Sequence, residues 1–346
     1  MAGLIDWDVA ARAAKRLSPP PPGTSRHEAE ETVSDLYRAT AVAADQVAEL
    51  TQLHEPPVTA ITRVIDRAAW VDTNAGGMRT LMDPLVERLS GDRPMGKVAQ
   101  SVGGRVTGVQ VGVVLGFLSG KVLGQFEFFE RPGGQLLLVA PNLVAVERQL
   151  KVDSRDFRLW VCLHEETHRV QFTAVPWMRD HIHAQIAQLI GGVDLDPAKM
   201  AAMVAEAVRR ISEVVRGNDD VSLLDLFSTP EQRVVMDRVT GVMSLLEGHA
   251  DVVMDGVGPG VIPSVDKIRR KFDERRKGVG YLDRVLRRLL GLDVKMAQYR
   301  DGAAFVRAVV DKVGMDGFNA VWSEPDTLPS KAEIADPGAW VRRVHG

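Results

Sequence analysis

The most distinctive chemistry in the sequence lies in Val161-Cys162-Leu163-His164-Glu165-Glu166-Thr167-His168-Arg169-Val170, where the pattern His-Glu-x-x-His occurs once. On an α-helix, residues four apart lie about 40° apart around the axis, so His164 and His168 aim their imidazoles at one point. Two neutral ring nitrogens at one point suit a zinc ion. Glu165 lies about 100° from His164, at the edge of the same face, where a carboxylate can take a proton from water beside the ion without ligating it. The spacing therefore predicts His164 and His168 as metal ligands and Glu165 as general base.

A catalytic zinc takes three protein ligands and keeps a fourth position open. A helix expected over 229–255 offers the third. Thr229 is its N-cap, Pro230 sits in its first turn, Gln232 completes a capping box, and Gly256 is the expected end. Within it stands Leu246-Glu247-Gly248-His249-Ala250-Asp251. Glu247 and Asp251 are four apart and share a stripe with Met243 and Met254, which places two carboxylates on an apolar face. Buried carboxylates need a compensating charge or hydrogen bonds, and a metal with its histidines supplies both. Glu247 is thus the expected third ligand, ahead of His249 on the opposite side of the helix. Asp251 is expected to accept the outer N–H of a ligating histidine. By residue type, Tyr299, Tyr281 and His249 are candidate donors to the oxyanion of the transition state. His181 and His183 point apart on their helix, which argues against a second metal pair.

The positioning elements read as mainly α (α+β). The motif helix is expected over 154–172, capped by Asp153, Ser154 or Asp156. Phe157, Val161, His164, His168 and Gln171 share the face expected to be buried, while Arg158, Cys162, Glu166 and Arg169 share the opposite one. Glu166 and Arg169 are expected to pair at the surface, three residues apart. Strands at 125–130 and 135–140, joined by Arg131-Pro132-Gly133-Gly134, read as a β-hairpin. Residues 6–17 form a short helix, and prolines 19–22 a stiff spacer, giving an N-terminal arm over 1–24. Helical periodicity covers 25–53, 59–72 and 77–89, so the first hundred residues read as all-helical. Gly104, Gly108, Gly112, Gly116, Gly120 and Gly124 then recur every fourth residue, cutting a groove that lets a neighbour approach a buried central helix. Its uncharged stretch, 106–120, is shorter than the roughly 20 residues that span a bilayer. Further helices are expected from about 177 to 190 and over 196–216, 264–277, 280–290, 293–313 and 315–322, followed by an extended, proline-rich tail. Residues 25–346 read as one large domain with the metal site between the helices near 154–172 and 229–255.

Composition narrows the function classes. The 346 residues are 45% apolar, enough for a sizeable core, and a net charge of -3 gives no global pull towards nucleic acid or anionic membrane. The basic run 267–277 is broken by Asp273 and Glu274 and reads as a solvated helix face. One cysteine, Cys162, excludes an intramolecular disulfide and fits a reducing compartment. The N-terminus lacks a basic start followed by an apolar core, so a cytoplasmic location is expected.

His-Glu-x-x-His followed by a helix bearing Glu-x-x-x-Asp resembles the gluzincin, thermolysin-like branch of the zinc peptidases. The whole chain more closely resembles a zincin-like family common in actinobacteria, whose members are described as hydrolases or zinc-dependent metalloproteases. Some are associated with biosynthesis of the deazaflavin coenzyme. Asp66-Arg67-Ala68-Ala69-Trp70-Val71-Asp72-Thr73-Asn74, the glycine ladder, the motif helix, Glu247 to Asp251 and Gln298-Tyr299-Arg300 carry this resemblance. It implies Zn2+ held by His164, His168 and Glu247, Asp251 as partner of His164, and hydrolysis of amide bonds in a peptide or small amide. It also implies a substrate backbone bound along an edge strand, for which the hairpin is the candidate; a hairpin that merely covers the core is the equal alternative. The 79 positions from His168 to Glu247 imply an inserted helical subdomain. Two other readings use the same residues: a non-catalytic, metal-stabilised interaction protein, and a hydrolase of small non-peptide molecules. Three histidine and glutamate ligands with an open position point to catalysis over a structural site.

Overall fold

A computed structural model describes residues 5–53, 60–90, 97–130, 133–191, 230–277 and 292–346. It is mainly helical, with one three-stranded sheet. Two compact units divide the chain: the first comprises Met1–Arg179 and Val253–Lys271, the second Asp180–Val252 and Phe272–Gly346.

In the first unit, strand β1 (Ile61–Ile65) pairs in parallel with β3 (Gln135–Val139), and β2 (Gly124–Glu127) pairs with β3 from the other side, antiparallel. β3 is buried at every residue, as expected of an aliphatic central strand covered on both faces. The hairpin is present as expected. The helix expected over 59–72 is not: Ile61-Thr62-Arg63-Val64-Ile65 is a β-branched run, and its partner β3 lies 74 positions away, from Ile61 to Gln135. Local periodicity carries no signal from so distant a partner. The rest of that stretch joins the next expected helix in one continuous α3 (Arg67–Ser90).

The glycine ladder finds its neighbour in the N-terminal arm. Helix α1 (Trp7–Leu17), capped by Asp6, runs parallel to α4 (Lys97–Ser119). A Cβ on Gly108, Gly112 or Gly116 would lie 2.5, 2.6 or 2.9 Å from the carbonyl oxygens of Asp6, Ala10 and Ala14. The small residues thus let two backbones touch, and the dispersion gained there offsets the helix cost of glycine. The helix is not buried all round, however. Its outer valines, Val106, Val109 and Val113, are about half exposed. The proline spacer is fixed too: Arg67 Nη1 donates to the carbonyls of Pro19 and Pro20, and Arg67 Nε to Asn142 Oδ1 at 2.6 Å. Asn142 lies on α5 (Ala140–Leu150), a helix the sequence patterns do not single out, and it donates onward to the carbonyls of Ser119 and Val122.

Helix α6 (Ser154–Thr173) carries the motif, with Asp153 accepting from the Asp156 amide as its cap. Its second face does not meet solvent. It packs along α2 (Arg26–Thr51), where Thr40 meets Cys162, and Arg158 is held by Glu147, Asp35 and Thr32. Glu166 is 0% exposed and Arg169 is also buried, correcting the expected surface location. Arg169 Nε donates to Glu166 Oε2 at 2.5 Å, which lets both charges enter the interior. Periodicity alone cannot tell a buried ion pair from a solvated one.

The second unit contains α7 (Met178–Gly191) from Asp180 onward and α8 (Pro230–Val261) as far as Val252. α8 runs past Gly256 and breaks at Gly258, whose φ of 63° is left-handed. Its continuation and α9 (Val265–Lys277) as far as Lys271 belong to the first unit. α10 (Leu292–Phe318) crosses α8 at backbone contact, since a Cβ on Gly248 would meet the backbone of Gly302 and Ala303. The tail is not extended. It forms one 3-10 turn (Pro325–Thr327), α11 (Lys331–Ala335) and α12 (Pro337–His345), because Ser330 and Asp336 supply N-caps and Trp340 supplies an anchor. Trp340 is fully buried against Phe305, and its Nε1 donates to the Thr327 carbonyl at 2.7 Å. Thr229 and the helices expected over 196–216 and 280–290 lie outside the described residues. Among the described residues, no helix is long and apolar enough to cross a membrane.

Candidate metal centre

His164 and His168 are half-buried on one stripe of α6, with their Nε2 atoms 3.2 Å apart. Two bonds of about 2.0–2.1 Å to one tetrahedral zinc would hold two nitrogens about 3.3–3.4 Å apart, so the pair fits such an ion. The outer nitrogen of His168, Nδ1, lies 2.9 Å from Oε1 of the buried Gln171. This fixes the ring and leaves Nε2 for a ligand. The sequence places Gln171 on the same face, three residues on, but gives it no role.

Among the described residues, His164, His168 and Glu247 form the group able to hold a metal ion, with their ligand atoms all within 4.8 Å of one another. Imidazole and carboxylate donors without a thiolate suit a hydrolytic zinc site that keeps a position for water. Glu247 and Asp251 are half-buried, one turn apart on α8. His249, on the other side of that helix, is 0% exposed, its ring 5.3 Å from Phe318 and 5.4 Å from Trp322. It belongs to the aromatic core of the second unit. Tyr299 lies on α10, and Tyr281 is outside the described residues.

Glu165 is 6% exposed, and its side chain lies against Gly124 at the start of β2. β2 is the edge strand beside α6: Phe126 and Phe128 stack on Phe172 of that helix. From its opposite face, Gln125 accepts from Trp70 Nε1 at 2.8 Å and donates to Asn74 Oδ1 at 3.0 Å. Burial pushes the Cys162 thiol up to about 12, with Glu166 and Glu165 adding to the rise against a hydrogen bond from Thr40. The cysteine is therefore an inert core residue and no nucleophile. Burial, then Arg238, holds the His181 imidazole below its ordinary value.

Two histidines and a glutamate able to hold one metal ion, with the buried Glu165 next to His164 on α6, are the residue set of a zincin-type metallohydrolase. The chain belongs to the zincin-like metallopeptidase family, whose model matches residues 5–341. It is also similar to a solved structure from Chloroflexus aurantiacus, provisionally described as a hydrolase with a novel fold. The two share 32% identity over 99% of each chain, with a TM-score of 0.72. No curated protein matches the sequence.

Proposed function

We propose that the protein is a zinc-dependent metallopeptidase that hydrolyses amide bonds, with His164, His168 and Glu247 as zinc ligands and Glu165 as general base. The observation that carries this reading is the convergence of those three ligand atoms within 4.8 Å. Zinc in such a site supplies Lewis acidity, which makes water nucleophilic near neutral pH and polarises a carbonyl. The protein's own residues do the rest. Gln171 and, in this reading, Asp251 orient the imidazoles by accepting their outer N–H groups, Gln171 from His168 and Asp251 from His164. The Glu165 carboxylate takes the proton of the attacking water and returns it to the amide nitrogen as the C–N bond breaks. Its burial shields that transfer from bulk solvent. Support for a peptide substrate comes from the family and from β2, an edge strand among the described residues, a position that suits pairing with an extended chain. A lone buried cysteine accords with a reducing, cytoplasmic setting.

A Glu165→Gln variant assayed on a broad peptide library, alongside wild type, tests the assignment. Retained metal with cleavage lowered at least a hundredfold is expected, the scale of a removed general base. Cleavage at the wild-type rate by the metal-loaded variant would refute the role of Glu165.

A further inference from the structure

Gly124 is the last rung of the glycine ladder, but it serves a different purpose from the others. Gly108, Gly112 and Gly116 make room for α1, whereas a Cβ on Gly124 would lie 2.5 Å from Cγ, 2.7 Å from Cδ and 2.9 Å from Oε1 of Glu165. The glycine is not required by the backbone, since Gly124 does not have a positive φ and sits in a regular strand opposite Leu138. What the site lacks is space for a side chain. The strand cannot easily withdraw to create it. β2 is held to β3 along its whole length, and Gln125 is tied to Trp70 and Asn74 from the far side. The ladder of hydrogen bonds to β3 and the Gln125 clamp make β2 a wall, and the Glu165 side chain is the partner that would yield.

We infer that Gly124 is a positioning residue: its bare backbone is what allows the Glu165 carboxylate to occupy its place beside the motif histidines. The inference rests on the reading of Glu165 as general base. Because the atoms displaced, Cγ, Cδ and Oε1, are all side-chain and none backbone, Gly124→Ala turns the Glu165 side chain about its χ1 and moves the carboxylate without unfolding the strand. A misplacement of about 1 Å at a reacting group costs on the order of a hundredfold in rate.

The test is a double-mutant cycle on the full-length, zinc-loaded protein: wild type, Gly124→Ala, Glu165→Ala and the double variant. Denaturant midpoint, zinc content, kcat and KM on the best library peptide are measured for each. Gly124→Ala is expected to retain one zinc and an unchanged KM, with kcat lowered about a hundredfold. In unfolding, alanine should raise the midpoint in the Glu165→Ala background, where the space is vacant, and fail to raise it in wild type. Equal midpoint shifts in both backgrounds, or an unchanged kcat in Gly124→Ala, would overturn the inference. A wild type that hydrolyses no peptide would count against the proposed function alone. The unfolding coupling would then still decide whether Gly124 sets the position of Glu165, and Gly124→Ser, with a larger side chain, should show the same sign.

Discussion

Each of the two central helices sorts its polar residues into roles by angle around its own axis. On α8, Glu247 and His249 are two positions apart and meet opposite surroundings: Glu247 is grouped with the motif histidines, while His249 is enclosed by Phe318 and Trp322. Their removal should therefore have different signatures. Glu247→Ala is expected to weaken zinc binding at least tenfold with little change in unfolding of the metal-free protein. His249→Ala is expected to leave zinc affinity within a few-fold and to destabilise the fold by about 2–4 kcal/mol, as large-to-small core changes do. Competition with a chromogenic chelator and denaturant unfolding separate the two. The reverse order of zinc affinities would refute the ligand assignment. The grouping of His164, His168 and Glu247 was legible in the sequence, because four-residue spacing on a helix dictates which side chains share a face. Gln171 and Gly124 were not, because a hydrogen bond to one histidine and a space left for one glutamate depend on rotamers and on a strand 41 positions before Glu165.

The glycine pattern announced close packing against a neighbour, yet only the fold shows that the neighbour is α1. Gly112 and Gly103 make a direct test, since both lie on α4. A Cβ at 112 would lie 2.6 Å from Ala10 O and 2.7 Å from Ala13 Cβ, whereas nothing lies within 4 Å of one at 103. Gly112→Val is expected to destabilise the protein by about 1–3 kcal/mol through overpacking, and Gly103→Ala to stabilise it by up to about 1 kcal/mol through helix propensity. Denaturant midpoints of the two variants check this. Similar shifts in both would mean that the ladder acts by propensity and not by contact with α1. The same limit explains the strand at 61–65. Its five residues are short enough to fit a helical reading, and what makes them a strand is a parallel partner far along the chain.

Over the whole molecule, the order of elements was largely legible where periodicity was strong, and least so where short segments are held by tertiary anchors. The tail illustrates this. Its proline content suggests an extended chain, but capping residues and the buried Trp340 fold it into short helices. Arg343 binds Glu333 through two nitrogens, at 2.6 and 3.1 Å, and joins those helices. Burial alone would raise the Glu333 carboxyl, but hydrogen bonds from Arg343 and Ser330 outweigh it and hold the group below its ordinary value. A lowered carboxylate binds fewer protons folded than unfolded, so its stabilisation is present above the unfolded value near 4.5 and is lost as pH falls through the folded one. Glu333→Gln should accordingly cost about 0.5–1 kcal/mol at pH 7, allowing for solvent screening, and progressively less below pH 4.5. Unfolding free energies of both proteins at pH 7 and pH 3.5 provide the check, and a difference independent of pH would contradict the ion-pair account. The central claim is that two histidines of α6 and a glutamate of α8 hold one catalytic metal ion. Elemental analysis of the purified wild-type protein and of Glu247→Ala, after dialysis against metal-free buffer, tests it most directly. One zinc per chain in the wild type and far less than one in the variant is the predicted result; no stoichiometric metal in the wild type, or equal zinc in both, would contradict it.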